Sequence, residues 1–450
     1  MAEKIKENVK SKTVQVEPTK DLFIYVITRD IDISDAIIDL IDNSIDGAKR
    51  LQKANSEEDY IGLKVEIEFN QDKFLIKDNC GGIPLNLAKN YAFRFGRAEG
   101  MTETLGSVGQ FGVGMKRALF KFGQYFVVES NTKNDSFSLA VDVPKWRKNK
   151  SWTFDLEKIG KGTSRKGERG TKILVQNLNE EAKRAFSDLT VHSKIFNEVK
   201  VRQKFFIEKG LCIIINGVKV DTQLFTLRHK KNELHPSYWQ HTYEKVLEEG
   251  KLIHQDVDVE MYVGVGDSDP ELAGWYICCN GRVVLDADKS EKTGWKLPLL
   301  PQFHGQYNRF RGYVMFKSRD AGVLPWTTTK ADIEVNNQLY KQVLQKMSEQ
   351  GRPVIKFLDA LDKEKDLPEN NRPLTTLLEK STVVNLDKQY SRAHFEFAEP
   401  TKISGDKTIL VSFRRMKSKV ESLQFALGLS SPKRLGERLF DEAYEKHVEE

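Results

Sequence analysis

Cysteine is scarce in this sequence, and its few positions match no disulfide or metal pattern. The 450 residues include four cysteines, Cys80, Cys212, Cys278 and Cys279. They form no Cys-x-x-Cys pair and show no zinc-ligand spacing, which argues against a disulfide framework and a structural zinc site. No metal-binding His/Asp cluster of the kind that a nuclease needs is evident. We therefore expect a protein of a reducing compartment, the cytoplasm.

Long apolar segments are also missing. No run of eighteen apolar residues occurs, so we expect no membrane span. The first residues, Met-Ala-Glu-Lys-Ile-Lys, lack the apolar region of a secretory signal. A hydrophobic content of 39% and a charged content of 30% are ordinary for a soluble protein long enough for two or three domains. The net charge of +6 permits contact with nucleic acid but does not demonstrate it.

The most unusual stretch is Ser34–Arg50, which the sequence predicts to be a helix. Apolar residues recur at helical spacing and predict a face toward the core: Ile37, Leu40, Ile41 and Ala48. Four polar residues share a second face: Asp39, Asp42, Asn43 and Asp46. Like charges at this spacing cost a helix a few tenths of a kcal/mol per pair. The face is either a solvated acidic surface or a Mg²⁺-nucleotide site, because carboxylate and amide oxygens suit a hard cation.

Two further segments carry chemistry. A predicted hairpin over residues 65–76 runs into Asp-Asn-Cys-Gly-Gly-Ile at 78–83. Asp78 there is either well placed to meet a ligand in a cleft or part of a simple Asp-Asn turn. Residues 106–117, Gly-Ser-Val-Gly-Gln-Phe-Gly-Val-Gly-Met-Lys-Arg, open a predicted helix that extends through Phe122. They match neither a Walker loop nor Gly-x-Gly-x-x-Gly. Glycines before a helix can nonetheless offer N–H groups to phosphates, and Lys116 adds charge.

The remaining chain predicts a second, β-rich region. Strands are expected at residues 211–220, 257–265, 275–285, 311–317 and 408–413, and residues 21–28 are either strand or helix. Helices are expected near residues 180–209, 338–350, 417–427 and 433–448, with a linker at 363–373. The basic run 145–169 is either a solvated loop or a nucleic-acid contact.

Three motifs in fixed order resemble the nucleotide-binding boxes of the GHKL ATPases, the superfamily of gyrase B subunits, ninety-kilodalton heat-shock chaperones, histidine kinases and MutL. They are Asp-Leu-Ile-Asp-Asn-Ser-Ile-Asp at 39–46, Asp-Asn-Cys-Gly-Gly-Ile at 78–83 and Gly-Gln-Phe-Gly-Val-Gly at 109–114. Gly170-Thr171 looks like the fourth box. The resemblance covers about residues 20–180 and implies an α+β fold, with ATP held between helices and sheet of a two-layer, Bergerat-type sandwich.

The resemblance also implies roles for individual residues. Asn43 would bind Mg²⁺, Asp78 would accept a hydrogen bond from the adenine amino group, and Asp39 would be the general base. The other cofactor-binding residues would be Gly82, Ile83, Gly109, Gln110, Phe111, Gly112, Val113, Gly114, Lys116 and Thr171. Asp39 departs from the usual Glu, so hydrolysis is expected to be slow unless Asp42 helps to orient the water. Cys80 replaces the first glycine of its box.

A second resemblance covers the later part of the chain. Asn-Gly-Arg at 280–282 looks like a strand of the transducer domain in MutL and type II topoisomerases. Thr-Thr-Lys at 328–330 resembles a switch loop whose lysine, here Lys330, reaches the γ-phosphate. We expect this contact to need a swing of the second domain toward the first. Histidine kinases have no such domain, and the chain looks most like the MORC branch and its bacterial MutL-related relatives.

These observations predict five segments and one function. The segments are an arm at 1–20, the ATP-binding domain at 21–185, a transducer-like (ribosomal S5-like) domain at 186–362, a linker at 363–373 and a C-terminal α/β interaction segment at 374–450. The expected function is an ATPase that acts as an ATP-gated homodimeric clamp, with duplex DNA and a nuclease or helicase as candidate partners in repair, restriction or phage defence. The alternatives are a non-hydrolysing nucleotide-binding scaffold and a protein chaperone.

Overall fold

The computed structural model of the chain describes residues 19–29, 31–52, 60–94, 107–108, 114–223, 225–244, 256–296, 298–368, 371–398 and 411–448. Helices and a large mixed sheet within these residues give the expected α+β class. None of the helices in these ranges is long and apolar enough to cross a membrane.

The first sheet has eight strands. Their bounds are Lys64–Phe69 (β1), Lys73–Asp78 (β2), Gly123–Asn131 (β3), Asp135–Asp142 (β4), Leu156–Lys161 (β5), Gly170–Leu178 (β6), Cys212–Ile215 (β7) and Val218–Lys219 (β8). The strand order is β5-β4-β3-β6-β2-β1-β7-β8. Neighbouring strands are antiparallel except β1 and β7, which are parallel. The sheet therefore takes two strands from beyond residue 185, and the proposed domain boundary stays a prediction.

Seven helices accompany this sheet in the described part of the chain. Their bounds are Lys20–Arg29 (α1), Ile33–Gln52 (α2), Gly114–Phe122 (α3), Val143–Lys148 (α4), Glu180–Ser187 (α5), Leu189–Arg202 (α6) and Lys204–Glu208 (α7). A helical turn at Leu85–Leu87 continues as a π-helical turn at Ala88–Ala92. Helix α2 is buried on nearly all sides, since its apolar stripe and three of its four acidic-face residues are inaccessible to solvent. A helix buried all round belongs in the centre of a protein.

Helix α1 resolves the ambiguity of residues 21–28, and one buried lysine anchors it. The ammonium group of Lys20 donates hydrogen bonds to the carbonyls of Trp146 (2.7 Å), Asn149 (2.8 Å) and Ser151 (2.6 Å). It also lies 4.1 Å from the centroid of the Trp146 ring. A buried cation is tolerated only with such compensation, so this contact fastens α1 to the end of α4.

The second sheet has five strands in the order β11-β12-β15-β13-β14. Their bounds are Ser237–Tyr243 (β11), Val257–Val265 (β12), Gly274–Cys279 (β13), Arg282–Asp288 (β14) and Phe310–Ser318 (β15). Residues 275–285 were expected to form one strand, which is wrong because Asn280 and Gly281 adopt positive φ angles of 49° and 88° and turn the chain into a hairpin. Asn-Gly is the residue pair that favours this turn. The same signal, Asn216-Gly217, divides residues 211–220.

Helix Gln338–Lys363 (α8) packs against β12 and β15 and extends beyond residue 350, although Pro353 lies inside it. The other elements around this sheet are Thr226–His229 (β9), Leu234–His235 (β10), Pro373–Glu379 (α9), Thr382–Asn385 (β16) and Glu396–Phe397 (β17). Strand β16 pairs with β9, and β17 pairs with β10. Residues 371–398 therefore belong to the body that contains both sheets, and the C-terminal segment at 374–450 stays a prediction.

The chain divides into two compact units, of which the second comprises residues 366–368 and 400–450. Its helices, Lys417–Leu427 (α10) and Pro432–Val448 (α11), agree with the sequence prediction to within one residue. The strand predicted at 408–413 is wrong for residues 411–413, which have no regular structure, while 408–410 lie outside the described residues.

We predict that Gly170→Ala is strongly destabilising. A Cβ atom at Gly170 would lie 1.8 Å from the carbonyl oxygen of Asp78, where backbone meets backbone and neither side can yield. We expect a loss of unfolding free energy of about 3 kcal/mol or more, measured by urea denaturation. Gly167→Ala is the matched control, because a Cβ there meets no atom within 4 Å. Equal midpoints for the two variants would contradict the close approach of the two strands.

Candidate functional site

A narrow cavity lies between α2 and the first sheet. Its walls come from α2, α3, the strands β2 and β6, and the turn after β2, with these lining residues: Leu40, Asn43, Ser44, Gly47, Arg50, Ile76, Asp78, Gly82, Ile83, Met115, Thr171 and Ile173. The cavity has a volume of about 30 Å³, room for one or two water molecules. A larger ligand can enter only if a side chain of the wall moves.

Asp78 ends β2 at the base of this cavity. Its Oδ1 accepts hydrogen bonds from the N–H groups of Cys80 (2.9 Å) and Thr171 (3.1 Å), and its Oδ2 accepts one from the Ser44 hydroxyl (2.7 Å). Burial raises the pKa of Asp78, and these three hydrogen bonds oppose that shift. A carboxylate offers about four acceptor positions. The described residues use three, so one more donor can be accepted at a fixed place.

The turn that follows brings Gly82 and Ile83 to the same cavity. Gly82 has a φ of +72°, and a Cβ there would lie 2.5 Å from the carbonyl oxygen of Asn131, so only glycine fits. The N–H of Ile83 donates to Ser130 Oγ (2.7 Å), whose hydroxyl donates back to the Ile83 carbonyl (3.0 Å). The structure thus brings Gly82, Ile83, Asp78 and Thr171 together around one cavity.

Asn43 is the exposed member of the acidic face of α2. Its Nδ2 donates to the carbonyl of Asp39 (2.9 Å), which orients the amide and leaves Oδ1 as its cation-binding atom. No group of three or more His, Cys, Asp or Glu side chains among the described residues is arranged to hold a metal. A single amide oxygen fits Mg²⁺ nonetheless, because this ion is usually held by few protein oxygens together with phosphates and water.

Asp39 is buried and ion-paired. Its Oδ2 accepts a hydrogen bond of 2.6 Å from Arg117 Nη2, and its Oδ1 lies 3.8 Å from Arg282 Nη1 and 3.7 Å from Lys330 Nζ. A Cβ at Gly114, the first residue of α3, would lie 3.0 Å from the same Oδ2. The beginning of α3 therefore lies directly against this carboxylate.

Asp42 is the centre of a buried ion cluster. Its Oδ1 accepts from Gln203 Nε2 (2.9 Å), and its Oδ2 pairs with Arg282 Nη1 and with Lys330 Nζ, the latter at 3.2 Å. Burial alone would raise the pKa of Asp42, but the positive charges of Arg282 and Lys330 lower it below its usual value. Both oxygens of Asp42 are engaged, which argues against its use to orient a water molecule.

Lys330 reaches this cluster from the loop after β15. It is buried, adopts a φ of +55° and lies within ion-pair distance of Asp42 and Asp39. The expectation that contact of Lys330 with the γ-phosphate needs a swing of the second domain stays a prediction. Lys330 already lies beside the carboxylate predicted to be the general base.

The glycine segment is described only in part. Gly109, Gln110, Phe111, Gly112 and Val113 lie outside the described residues. The amine of Lys116 donates to the carbonyl of Ala92 (2.8 Å), and burial lowers the pKa of Lys116 to about 7. Lys116 thus faces the π-helical turn, and the phosphate role that the resemblance implies stays a prediction.

Several residues at the site were missed from the sequence. Asp46 Oδ1 accepts a hydrogen bond from the Val108 N–H (2.7 Å), and Asn280 Nδ2 donates to the Ser107 carbonyl (2.9 Å), so α2 and the β13–β14 turn hold the residues before the glycines. The others are Arg50, Arg117, Gln203 and Arg282. Arg117 had a local signal, since it lies three residues after Gly114 on the same face of α3.

Comparison with known proteins agrees with this geometry. A family model described as histidine kinase-, DNA gyrase B- and HSP90-like ATPase matches residues 31–171. The match contains Asp39, Asn43, Asp78 and Thr171. An uncharacterized protein of Mycoplasma pneumoniae (strain ATCC 29342 / M129 / Subtype 1) is 26% identical over 206 residues, which is 45% of this chain and 78% of that protein. Residues 31–171 are therefore similar to the ATP-binding domains of the GHKL superfamily, which supports ATP binding by this part of the chain.

Proposed function

We propose that the chain binds Mg²⁺-ATP in the cavity beside α2 and hydrolyses it slowly. The observation that carries this proposal is the set of cations around the buried carboxylates of α2. Asp39 and Asp42 lie beside three cations, Arg117, Arg282 and Lys330. A γ-phosphate is an anion that such cations bind, with guanidinium groups as strong donors to its oxygens.

The unsatisfied donors of this cluster support the same assignment. Arg282 Nε and Nη2 and Arg117 Nε are buried and have no hydrogen-bond partner among the described residues. Buried donors left without acceptors each cost about 1–3 kcal/mol. Phosphate oxygens are strong acceptors that guanidinium groups bind readily.

Each residue then has a distinct task. Asp78 accepts the adenine amino group, and Asn43 would hold Mg²⁺, which neutralises phosphate charge when bound. Asp39 receives the proton of the attacking water, and Lys330 stabilises the charge that develops on the phosphate oxygens. Hydrolysis is slow because Asp39 is short and is already paired with Arg117 at 2.6 Å.

The wider function remains part of the proposal. We infer a MORC-like or MutL-like homodimeric clamp, with Lys330 reporting the γ-phosphate to the second sheet and with duplex DNA, a nuclease or a helicase as partners. The Asp39–Arg117 pair favours one rival, a nucleotide-binding scaffold without turnover. Steady-state ATP hydrolysis with and without duplex DNA separates the two. Nucleotide binding without turnover under either condition would favour the scaffold.

We expect Asn43→Ala to remove the Mg²⁺ dependence of ATP binding. The amide oxygen is the protein's ligand to the ion, and its loss should weaken Mg²⁺-ATP binding at least about tenfold. Calorimetric titrations with Mg²⁺ and with EDTA measure this effect, and the affinity in EDTA serves as the control. A variant that keeps the full Mg²⁺ effect would disprove the metal assignment.

Asp39→Asn should retain ATP binding and lose turnover by roughly 100-fold or more, because an amide cannot take the proton of water. Single-turnover hydrolysis measures the chemical step directly. Asp32→Asn is the control just before the same helix, since Asp32 is exposed, pairs with Lys194 (3.3 Å) and is assigned no role in the site. Normal turnover in Asp39→Asn would show that the base lies elsewhere.

Lys330→Met should reduce hydrolysis about 100-fold, since one donor to a developing charge contributes at this scale. ADP affinity should stay within twofold of wild type, because ADP has no γ-phosphate. Light scattering with a non-hydrolysable ATP analogue tests whether dimer formation is lost together with turnover. Lys292→Met is the control, because that lysine is exposed and pairs with Asp332 (2.5 Å). Wild-type hydrolysis in Lys330→Met would exclude it as the switch.

A further inference from the structure

We propose that Arg50 is a base-contacting residue of the nucleotide site, whose guanidinium group covers the face of the purine that Asp78 holds by its edge. This inference rests on the proposed ATP site and adds a residue that none of the sequence motifs contains. Arg50 stands on the last turns of α2, after the acidic face.

The position of the guanidinium follows from two glycines of the cavity wall. Arg50 Nη2 lies 3.5 Å from the carbonyl oxygen of Gly82, and a Cβ built at Gly47 would lie 3.5 Å from the same nitrogen. That Cβ would also lie 2.6 Å from the Cys80 carbonyl oxygen, so position 47 has no room for a side chain. Because Gly47 has no side chain, the side chain of Arg50 forms this part of the cavity wall.

The surroundings of Arg50 strengthen the attraction that its positive charge would exert on an aromatic ring. Burial lowers the pKa of Arg50, while the carboxylates of Asp46 and Asp78 act in the opposite direction. The group is therefore a desolvated cation that two nearby carboxylates stabilise. A cation over an aromatic face is worth about 2 kcal/mol when desolvated, against about 0.5–1 kcal/mol at an exposed site. Guanidinium groups also stack on flat rings better than ammonium groups do.

The make-up of the cavity walls favours a contact between Arg50 and the face of the purine ring. Asp78 is fixed by three hydrogen bonds, Gly47 and Gly82 present backbone, and Ile76 and Ile173 belong to central strands. Arg50 is the longest side chain of the wall. A purine in this small cavity requires the guanidinium to move outward, and in this proposal the displaced group lies over the ring. In this proposal Asp78 contacts the edge of the base, and Arg50 contacts only its face.

Two consequences follow. The contact of Arg50 does not involve the phosphates, so it should affect ATP and ADP equally. Because the faces of adenine and guanine are alike, it should also affect ATP and GTP equally. Asp78, which accepts from the adenine amino group, should control the preference between these two bases.

The test uses the full chain with Arg50→Met, which keeps the length of the side chain and removes its charge. We expect the affinities for ATP, ADP and GTP each to fall about tenfold, while binding of inorganic tripolyphosphate is unchanged. Arg184→Met, on the exposed side of α5, is the control and should bind all four ligands like wild type. Asp78→Asn should instead change the ratio of ATP to GTP affinity.

The outcomes are distinguishable. Unchanged ATP affinity in Arg50→Met, with wild type binding ATP, overturns the role of Arg50 and leaves the proposed function intact. A changed ATP-to-GTP ratio in Arg50→Met overturns the face contact in favour of an edge contact. No ATP binding by wild type overturns both proposals. If Arg50→Met fails to fold in a thermal melt, Arg50→Lys replaces it. Arg50→Lys keeps the charge but loses the planar guanidinium group, so we expect nucleotide affinity to fall at least about threefold. Wild-type affinity in this variant would overturn the inference.

Discussion

The buried ion cluster on Asp42 is the constraint on which the rest of the structure depends. It joins α2, the central helix of the first domain, to Arg282 of the second sheet and Lys330 of the loop that follows it, across 240 and 288 residues of sequence. Removing one member of a buried pair typically costs about 3–5 kcal/mol, because the other charge is left uncompensated. The two sheets therefore cannot separate without exposing or re-pairing these charges, and their relation is held by electrostatics at the site itself.

This arrangement makes α2 both a structural and a chemical element. One side of the helix packs into the core, while the other carries in succession Asp39, Asp42, Asn43 and Asp46, each with a different partner. Asp46 holds Val108, just before the glycine segment, and Asn280 of the second sheet holds the neighbouring Ser107. The backbone of Ser107 and Val108, just before the proposed phosphate-binding segment, is thus held by α2 and by the second sheet. Any ligand that displaces Lys330 from Asp42 changes the same contacts that connect the two sheets.

Features that depend on residues close together in the sequence could be predicted, and contacts between residues far apart in the sequence could not. Helix α2, the place of Asp78 and the neighbourhood of Gly82, Ile83 and Thr171 were predictable, because local periodicity and compact motifs encode them. The Asn-Gly turns at 216–217 and 280–281 also had a local signal. The apolar residues on both sides of each turn were nevertheless predicted to form one continuous strand. The partners of Asp42 had no local signal, since Gln203 and Arg282 lie in other elements. Arg50 had no local signal of a ligand contact either, because its proximity to Gly82 depends on the fold.

The shortness of Asp39 is best understood together with its neighbours. A glutamate would extend the carboxylate by one methylene toward α3, where Arg117 Nη2 lies 2.6 Å from Asp39 Oδ2 and a Cβ at Gly114 would lie 3.0 Å from the same oxygen. The glycine at the start of α3 leaves no side chain between the helix and the carboxylate, and the arginine three residues later occupies the remaining space. The aspartate, the glycine and the arginine are thus mutually adjusted, so a longer acid would have to displace Arg117 or α3. Reactivity at this position is consequently set by how readily Arg117 releases Asp39, a property of the pair that the length of the acid alone does not determine.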